Sequence, residues 1–323
     1  MFDWLFGKKS KTRIGIDLGS SSIKIAELGR KDERAFLANY GLIQAKSEAI
    51  FNIADLKDAE LADILKKLIA EAKITGRSAN VSLPVEKTFS TVISMPIMPE
   101  NELAAAVSFE AQKYVPVPLN EVVLDWTVIS GSPGPAKTRP AGAADSIQGG
   151  QAGQDQAIQI LLLAVPKEII NKITNVVRLA GLSVDALEQE AFSLVRSLIG
   201  NDKNTFMVID LGRRGTDIIV VDQGFIKLSH NLESVNKDII LMEIDRIVNI
   251  FQMRYNKKVG QCLLTGGRAG EKEMFEFLSI KMKVPVKIGD PFARIGHGVA
   301  KELTLKEIAP QFAVAVGLAL REI

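Results

Sequence analysis

Two segments of this chain, half a chain length apart, share one pattern. The first reads Arg13-Ile-Gly-Ile-Asp-Leu-Gly-Ser-Ser-Ser-Ile-Lys-Ile-Ala, and the second reads Phe206-Met-Val-Ile-Asp-Leu-Gly-Arg-Arg-Gly-Thr-Asp-Ile-Ile-Val-Val. In each segment, alternating apolar residues flank an Asp-Leu-Gly turn, which predicts a β-hairpin. Repetition at this distance is typical of an internal duplication that builds two similar domains facing each other across a ligand cleft.

The composition fits a globular chain with two domains of ordinary size. Its 323 residues are 47% hydrophobic, which is enough to bury a large core. The net charge is only +2, which argues against a protein whose main task is to bind nucleic acid. The single cysteine, Cys262, has apolar neighbours and predicts a buried thiol in a reducing compartment.

The N-terminal tail, residues 1–12, has its apolar residues before its basic ones, in the order Met1-Phe-Asp-Trp-Leu-Phe-Gly-Lys-Lys-Ser-Lys. A signal peptide has the opposite order, so we expect no cleavage. No apolar run in the chain reaches the ~20 residues that span a bilayer, so we expect a cytoplasmic protein. The tail has two interpretations: a weak peripheral contact with the inner membrane, or a terminus that frays or packs on its own domain.

Strands and helices alternate along the rest of the chain, which predicts an α/β fold. Helical periodicity predicts helices at 56–72, 100–114, 167–180, 191–198, 237–255, 273–281 and 310–320. Besides the two hairpins, strands are predicted at 36–42, 80–85, 89–96, 122–129, 158–165, 183–187 and 261–265. Residues 131–156 collect Gly, Pro, Ala, Ser and Gln with almost no large apolar residue, which predicts a disordered surface loop.

The turn of the first hairpin has the chemistry to bind phosphate. Gly19 has no side chain to keep phosphate oxygens away from the backbone N–H groups. The hydroxyls of Ser20, Ser21 and Ser22 can donate hydrogen bonds, and Lys24 can add a positive charge. Tight-turn formation alone would also explain an Asp-Leu-Gly sequence, so one such hairpin is a weak signal.

The second hairpin strengthens that signal, because Gly212, Gly215 and Thr216 can play the same part on the other side of a cleft. Asp17 and Asp210, each at a strand end, are the predicted ligands of a hydrated Mg²⁺, an ion that prefers oxygen. Together the two hairpins predict a clasp around the phosphates of ATP.

A third loop, Thr265-Gly-Gly-Arg, follows an apolar strand. Gly266, Gly267 and Arg268 are predicted to pass close to the nucleoside, because glycine permits a close approach of the backbone. The two glycines would equally suit an ordinary turn.

These three motifs, in this order, resemble those of the superfamily of actin, Hsp70 and the sugar kinases. The resemblance implies an actin-like (ribonuclease H-like) duplicated two-domain fold that binds ATP and Mg²⁺. It also implies that Glu190, which begins a helix, orients the water in ATP hydrolysis, so that the protein is at most a slow ATPase. Arg213 and Arg214 depart from the second motif, where small residues are usual.

Within that superfamily, residues 101–126 (Asn101-Glu-Leu-Ala-Ala-Ala-Val-Ser-Phe-Glu-Ala-Gln-Lys-Tyr-Val-Pro-Val-Pro-Leu-Asn-Glu-Val-Val-Leu-Asp-Trp126) are similar to a segment of the PilM family of type IV pilus assembly proteins. That resemblance implies an FtsA-like inserted subdomain and a scaffold at the inner membrane. The implied partners are the cytoplasmic N-terminal segment of PilN and, through it, the PilN/PilO complex. Phe109, Tyr114 and Trp126 are candidate apolar contacts; we expect Phe109 and Trp126 in the core, and Tyr114 fits either place.

The resemblance also implies a division into subdomains. The expected parts are the tail 1–12, subdomain 1A (13–85 and 166–203), the inserted subdomain 1C (86–165, with the loop 131–156), subdomain 2A (204–240 and 290–323) and subdomain 2B (241–289).

Two other functions remain open at this stage. A small-molecule kinase, for example of a sugar or of acetate, would share the ATP motifs but needs an acceptor pocket with a base, and no such cluster is evident between them. The only histidines, His230 and His297, fit ordinary hydrogen-bonding or surface roles. A filament-forming, FtsA-like protein that self-associates would also fit.

Overall fold

The computed structural model describes residues 12–44, 56–130, 157–298 and 302–321. The tail up to residue 11 and the loop at 131–156, for which we made predictions, lie outside the described residues. The chain divides into two compact units, Met1–Glu86 with Ile170–Ile323 as the larger and Lys87–Ile169 as the smaller. The finer division into four subdomains stays a prediction.

The strands are β1 (Arg13–Leu18), β2 (Ser22–Lys31), β3 (Arg34–Gln44), β4 (Ser78–Leu83), β5 (Phe89–Pro96), β6 (Val122–Ser130), β7 (Ala157–Pro166), β8 (Ser183–Gln189), β9 (Phe206–Leu211), β10 (Thr216–Asp222), β11 (Phe225–Leu232), β12 (Gln261–Thr265) and β13 (Val286–Ile288). The helices are α1 (Asp58–Glu71), α2 (Glu100–Ala111), α3 (Lys167–Leu179), α4 (Glu190–Leu194), α5 (Lys237–Tyr255), α6 (Lys272–Lys281), α7 (Glu302–Ile308) and α8 (Ala313–Ala319). None of the helices in the described ranges is both long and apolar enough to span a membrane.

The larger unit contains two five-stranded sheets of the same design. The first has the order β3-β2-β1-β4-β8 and the second the order β11-β10-β9-β12-β13. Each sheet begins with three consecutive antiparallel strands. A fourth strand then pairs in parallel with the first of these, and a fifth pairs in parallel with the fourth. The duplication that the repeated hairpin predicts is therefore confirmed.

Short helices pack so closely on these sheets and on each other that backbone atoms touch backbone atoms. A Cβ on Gly15 of β1 would lie 1.9 Å from the carbonyl oxygen of Ala315 in α8. A Cβ on Gly317 of α8 would lie 2.0 Å from the carbonyl oxygen of Ser193 in α4. Only glycine fits at either position, so α8 is in direct backbone contact with both the first sheet and α4.

The predicted helix at 191–198 differs in form from the observed one. The segment begins at Glu190 as α4 and, after Leu194, continues as a π-turn over Val195–Ile199. It ends at Gly200, whose φ of 63° lies in the left-handed region that glycine tolerates. A single π-turn of five residues is too short for hydrophobic periodicity to reveal.

The smaller unit is a three-stranded antiparallel sheet, in the order β5-β7-β6, with α2 packed on one face. Trp126 packs against this core, as predicted. The prediction for Phe109 is wrong, because its side chain is 67% exposed, and Tyr114 is 42% exposed. The buried face of α2 consists of Leu103, Val107 and Ala111 at intervals of four residues, and Phe109 lies on the opposite face.

Candidate functional site

The two hairpins of the larger unit place equivalent residues opposite each other. In the first, Asp17 at the end of β1 pairs across the strands with Lys24 of β2. In the second, Asp210 at the end of β9 pairs with Asp217 of β10. The first pair thus joins opposite charges, and the second joins two carboxyl groups.

Lys24 and Asp17 form a largely buried ion pair. The Lys24 Nζ lies 2.9 Å from the Asp17 Oδ2, with 11% and 6% of the two side chains exposed. Burial alone would lower the pKa of the Lys24 ammonium, but Asp17, helped by the charges of Asp210 and Glu190, outweighs burial and raises it. Lys24 therefore holds a fixed positive charge beside the predicted phosphate turn.

The second pair has no such cation. Burial, strengthened by Asp17 and opposed by the charge of Lys24, raises the pKa of Asp210 to about 6. Burial and the charge of Asp210 raise the pKa of Asp217 to about 7, even though Asn231 Nδ2 donates a 2.9 Å hydrogen bond to Asp217 Oδ1. Two adjacent carboxyl groups that ionise with difficulty form a site that a cation would stabilise.

Glu190 belongs to the same charged region. Burial, and then the charges of Asp17, Asp217 and Asp210, raise the pKa of Glu190 well above its ordinary value. The structure thus brings Glu190, which the resemblance implied as the acid that orients water, together with both strand-end aspartates.

In both hairpin turns, the neighbouring backbone leaves little room for a side chain at the glycine positions. A Cβ on Gly19 would lie 3.2 Å from the Ser22 carbonyl oxygen, and one on Gly212 would lie 2.9 Å from the Gly215 carbonyl oxygen. Ser20 and Ser21 are half-buried, whereas Ser22 is buried at the start of β2. Both turns are therefore tight, and such turns present backbone N–H groups to an anion.

The third predicted loop touches the second hairpin directly. A Cβ on Gly266 would lie 2.1 Å from Asp210 Oδ1, and the φ of Gly266 is 92°. The Gly266 N–H donates to the carbonyl oxygen of Pro310 at 3.0 Å, which holds the loop in place. Gly267 differs, since no atom lies within 4 Å of its ideal Cβ position. The loop thus presses one glycine against Asp210 and leaves space at the next.

Two of the predicted ligand-binding side chains already have protein partners. The Thr216 hydroxyl is fully buried and donates to the Ser234 carbonyl oxygen at 3.0 Å. The Arg268 guanidinium donates to Glu271 at 2.9 Å and to the Val235 carbonyl oxygen at 3.1 Å. Both residues support the loops that surround the site, and their side chains are engaged.

Arg213, Arg214 and His230 are either exposed to solvent or engaged by another side chain. Arg213 and Arg214, which depart from the superfamily motif, are exposed at the second turn. His230 forms a 2.9 Å contact with Glu243, in keeping with an ordinary hydrogen-bonding role. The two arginines add positive charge at the exposed second turn.

Asp217 is the site residue that our sequence analysis missed. It lies as many residues after Asp210 as Lys24 lies after Asp17, which is the spacing of a cross-strand pair in the two equivalent hairpins. Aligning the repeats through the strands, beyond the Asp-Leu-Gly turns, would have identified it.

The residues present fit a Mg²⁺-nucleotide that is held through water. Among the described residues, no three His, Cys, Asp or Glu side chains are arranged to hold one metal ion directly. Mg²⁺ commonly keeps several waters and takes only one or two carboxylates from the protein, so Asp17 and Asp210 suit it without a closed ligand cage. Lys24 and the turn amides have the chemistry to bind the phosphates.

Comparisons with known proteins agree with this architecture. Residues 15–141 and 232–323 match the family model of the type IV pilus assembly protein PilM. The structure described as the PilM-PilN type IV pilus biogenesis complex superposes with a TM-score of 0.79 at 21% identity, covering 96% of this chain and 98% of that one. The ethanolamine utilization protein EutJ from Carboxydothermus hydrogenoformans superposes with a TM-score of 0.51 at 14% identity, covering 96% and 89%. With the duplicated sheets, these likenesses confirm the predicted actin-like fold.

Proposed function

This chain belongs to the PilM family of type IV pilus assembly proteins, and from that premise we propose that it is an ATP-binding scaffold of the inner-membrane pilus assembly platform. In this role it captures the cytoplasmic N-terminal segment of PilN and, through PilN, joins the PilN/PilO complex. The protein would then be cytoplasmic and peripherally associated with the inner membrane.

One observation carries the nucleotide part of the proposal: the Gly266 loop lies against Asp210, in the same charged region as Asp17 and Lys24. Three separate stretches of chain thereby surround one set of charges. Lys24 would bind the phosphates, while Asp17 and Asp210 would hold Mg²⁺ through water. When bound, Mg²⁺ offsets the charge of the phosphates and of the carboxylates around it.

The raised pKa of Glu190 argues for at most slow hydrolysis. A residue that orients or activates water acts best in its ionised form, and burial among carboxylates disfavours that form of Glu190. A nearby divalent cation would favour the ionised form. ATP in this site would therefore serve mainly to hold the two halves of the larger unit in one conformation.

The partner part of the proposal is supported by the exposed apolar side chains of the smaller unit. Phe109, Tyr114, Val117 and Val123 are all exposed there. Exposed aromatic and aliphatic side chains in one small unit are typical of a surface that binds a peptide or protein. The superposed structure is that of a complex with PilN, so the PilN segment is the occupant that we propose.

Calorimetry with a synthetic peptide of the PilN N-terminal segment, with and without Mg-ATP, tests the scaffold role. We expect saturable binding of the peptide and none of a scrambled peptide. Absence of binding in both conditions would sink the scaffold proposal. Sedimentation of the same samples would measure self-association.

Nucleotide binding is tested separately by calorimetry with ATP and Mg²⁺. We expect the Asp210→Ala variant to lose most of its affinity, because it removes a carboxylate that holds the ion. Normal ATP binding by that variant would count against the proposed site. ATP turnover that appears only after a sugar or acetate is added would instead favour a small-molecule kinase.

A further inference from the structure

The helix that carries Glu190 is short and ends in an unusual way. α4 passes into the π-turn at Val195–Ile199, and the Gly200 N–H closes that turn on the Val195 carbonyl oxygen at 2.9 Å. The last carbonyl groups of any helix lack partners within it and need donors from elsewhere. Here those donors come from a distant part of the chain.

Arg294 supplies them. Its Nη2 donates to the carbonyl oxygens of Arg196 at 3.0 Å and Ser197 at 2.7 Å, and its Nη1 donates to that of Ile199 at 2.9 Å. A Cβ on Gly200 would lie 1.7 Å from Nη1, so the guanidinium occupies the space that any other residue at 200 would need. The geometry of the π-turn is thus tied to a single side chain.

The body of the same segment is fixed by Glu188. Its carboxylate accepts hydrogen bonds from the Ser193 hydroxyl at 2.6 Å and from both terminal nitrogens of Arg196, at 2.8 and 2.7 Å. Arg196 Nη1 also donates to the Gly317 carbonyl oxygen at 2.7 Å. The π-turn and α4 form one continuous segment anchored in its middle, so we expect a shift at the end that Arg294 holds to pivot the segment and move Glu190 at its other end.

The Arg294 segment has a second attachment to the first half of the chain. Gly296 exchanges backbone hydrogen bonds with β3, donating to Ala35 at 2.9 Å and accepting from Leu37 at 2.8 Å. Arg294 lies after β13, whereas α4 lies before β9 and β3 lies near residue 40. The chain segment that carries Arg294 is therefore anchored to β3 independently of α4.

We propose that Arg294 is a positioning residue for Glu190: through the π-turn and α4 it sets where the Glu190 carboxyl lies among Asp17, Asp210 and Asp217. This inference rests on the proposed nucleotide site. A carboxyl group near the phosphates opposes each added negative charge, so the position of Glu190 sets how strongly the site prefers one nucleotide over the other. Arg294 thereby influences the ratio of ATP to ADP affinity without touching the nucleotide.

A double-mutant cycle tests this directly. The dissociation constants of Mg-ATP and Mg-ADP are measured for wild type, Arg294→Gln, Glu190→Gln and the double variant. We expect each single variant to change the ratio of the two constants about fivefold. In the Glu190→Gln background, the Arg294 substitution is expected to change the ratio no further.

Two further variants calibrate the cycle. Arg294→Lys, which keeps the charge but cannot reach all three carbonyl groups, is expected to show an intermediate ratio. Arg254→Gln, at an exposed arginine in the last turn of α5, is expected to leave the ratio unchanged. If Arg294→Gln does not fold, Arg294→Lys takes its place in the cycle.

Amide hydrogen exchange of the nucleotide-free protein gives an independent readout. We expect Arg294→Gln to speed exchange both in the π-turn and in α4, and faster exchange in the π-turn alone would overturn the inference. An unchanged ratio, or changes that add in the double variant, would overturn it as well. If wild type binds neither nucleotide, the proposed function fails, and the inference is then decided by exchange in α4.

Discussion

Asp217 lies opposite Asp210 in the second hairpin, at the position where Lys24 lies opposite Asp17 in the first. The duplicated fold therefore has unequal charges on its two sides. The first hairpin neutralises its aspartate internally, and the second keeps two carboxyl groups side by side. A bound cation would therefore stabilise the second hairpin more than the first.

Because Asp210 and Asp217 lie side by side, we expect the stability of the metal-free protein to depend on pH. The pKa of Asp217 rises from an ordinary 3.8 to about 7 on folding. The folded state then binds the proton more tightly than the unfolded state, so stability is lost as pH rises from about 4 to about 7. We expect Asp217→Asn to raise the free energy of unfolding at pH 8 by about 2 kcal/mol and to change it little at pH 4.

Urea unfolding of the metal-free protein at both pH values provides the measurement. Asp245→Asn, at an exposed aspartate of α5, serves as the control and is expected to change little. An Asp217→Asn effect of the same size at pH 4 and pH 8 would contradict the assignment of the raised pKa.

Two adjacent glycines of the third loop, Gly266 and Gly267, are expected to respond differently when each is replaced by alanine. At Gly266 the added methyl group meets Asp210 Oδ1 at 2.1 Å and the φ is 92°, so we expect Gly266→Ala to cost about 2 kcal/mol of stability and to weaken ATP binding. At Gly267 nothing lies within 4 Å, so Gly267→Ala is the matched control and should be tolerated. Thermal unfolding with and without Mg-ATP compares the two. Equal behaviour of both variants would show that the loop does not press on Asp210.

Glu27 of β2 is a buried carboxylate that joins three parts of the first sheet. It accepts hydrogen bonds from the hydroxyls of Thr12 and Thr75, both at 2.8 Å, from Asn39 at 2.8 Å and from the Gly76 N–H at 2.7 Å. Burial would raise the pKa of this carboxyl, but the hydrogen bonds outweigh burial and lower it. The carboxylate therefore stabilises the fold above pH ~4.5, and that contribution is lost as pH falls through the lowered pKa.

We expect Glu27→Gln to reduce the free energy of unfolding at pH 7 by about 3 kcal/mol, because the amide nitrogen faces donors that the carboxylate satisfied. The loss should shrink in acid, where Glu27 itself becomes protonated. Glu71→Gln, at an exposed glutamate of α1, is the control and should cost little. A deficit that stayed constant from pH 7 down to the onset of acid unfolding would contradict the role of the charge.

Replacing Phe109, the exposed aromatic residue of α2, is expected to weaken partner binding without reducing stability. Phe109→Ala is expected to weaken binding of the PilN segment about tenfold, since exposed aromatics at interfaces commonly carry 1 kcal/mol or more. Met253→Ala, at a residue that is 87% exposed on α5, removes a similar apolar side chain from the larger unit and should leave binding unchanged. Calorimetry gives the affinities, and thermal unfolding shows that both variants fold. Unaltered affinity of Phe109→Ala would remove this residue from the proposed surface.

The two hairpins were predictable from the sequence, because alternating apolar residues around Asp17 and Asp210 need only local geometry to form strands. The two edge strands of the second sheet, β11 and β13, were not predicted. The pairings of β1 with β4 and of β9 with β12 are non-local, and the sequence patterns of the hairpins do not predict them. Element ends were less accurate: the last helix was predicted from residue 310, whereas Ala309–Phe312 form a tighter 3₁₀ turn before α8.

The predictions that were wrong or incomplete concern side chains whose surroundings depend on distant parts of the chain. Phe109 was assigned to the core on the basis of its size, although the helical spacing of its neighbours places it on the outer face. Thr216 has the chemistry of a phosphate ligand, but its hydroxyl is engaged by the Ser234 carbonyl group. The π-turn after α4 depends on Arg294, and no local pattern near residue 195 indicates that distant arginine.

The contact between Gly15 and α8 has a consequence for the synthesis of the chain. β1 leaves the ribosome long before α8, the helix that lies against its backbone. Leu28 and Leu37 of the first sheet share a buried cluster with Phe312 and Val316, so their apolar surface stays exposed until that late segment arrives. The nascent protein therefore carries an uncovered first sheet until α8 has been made, the kind of exposed surface that chaperones recognise.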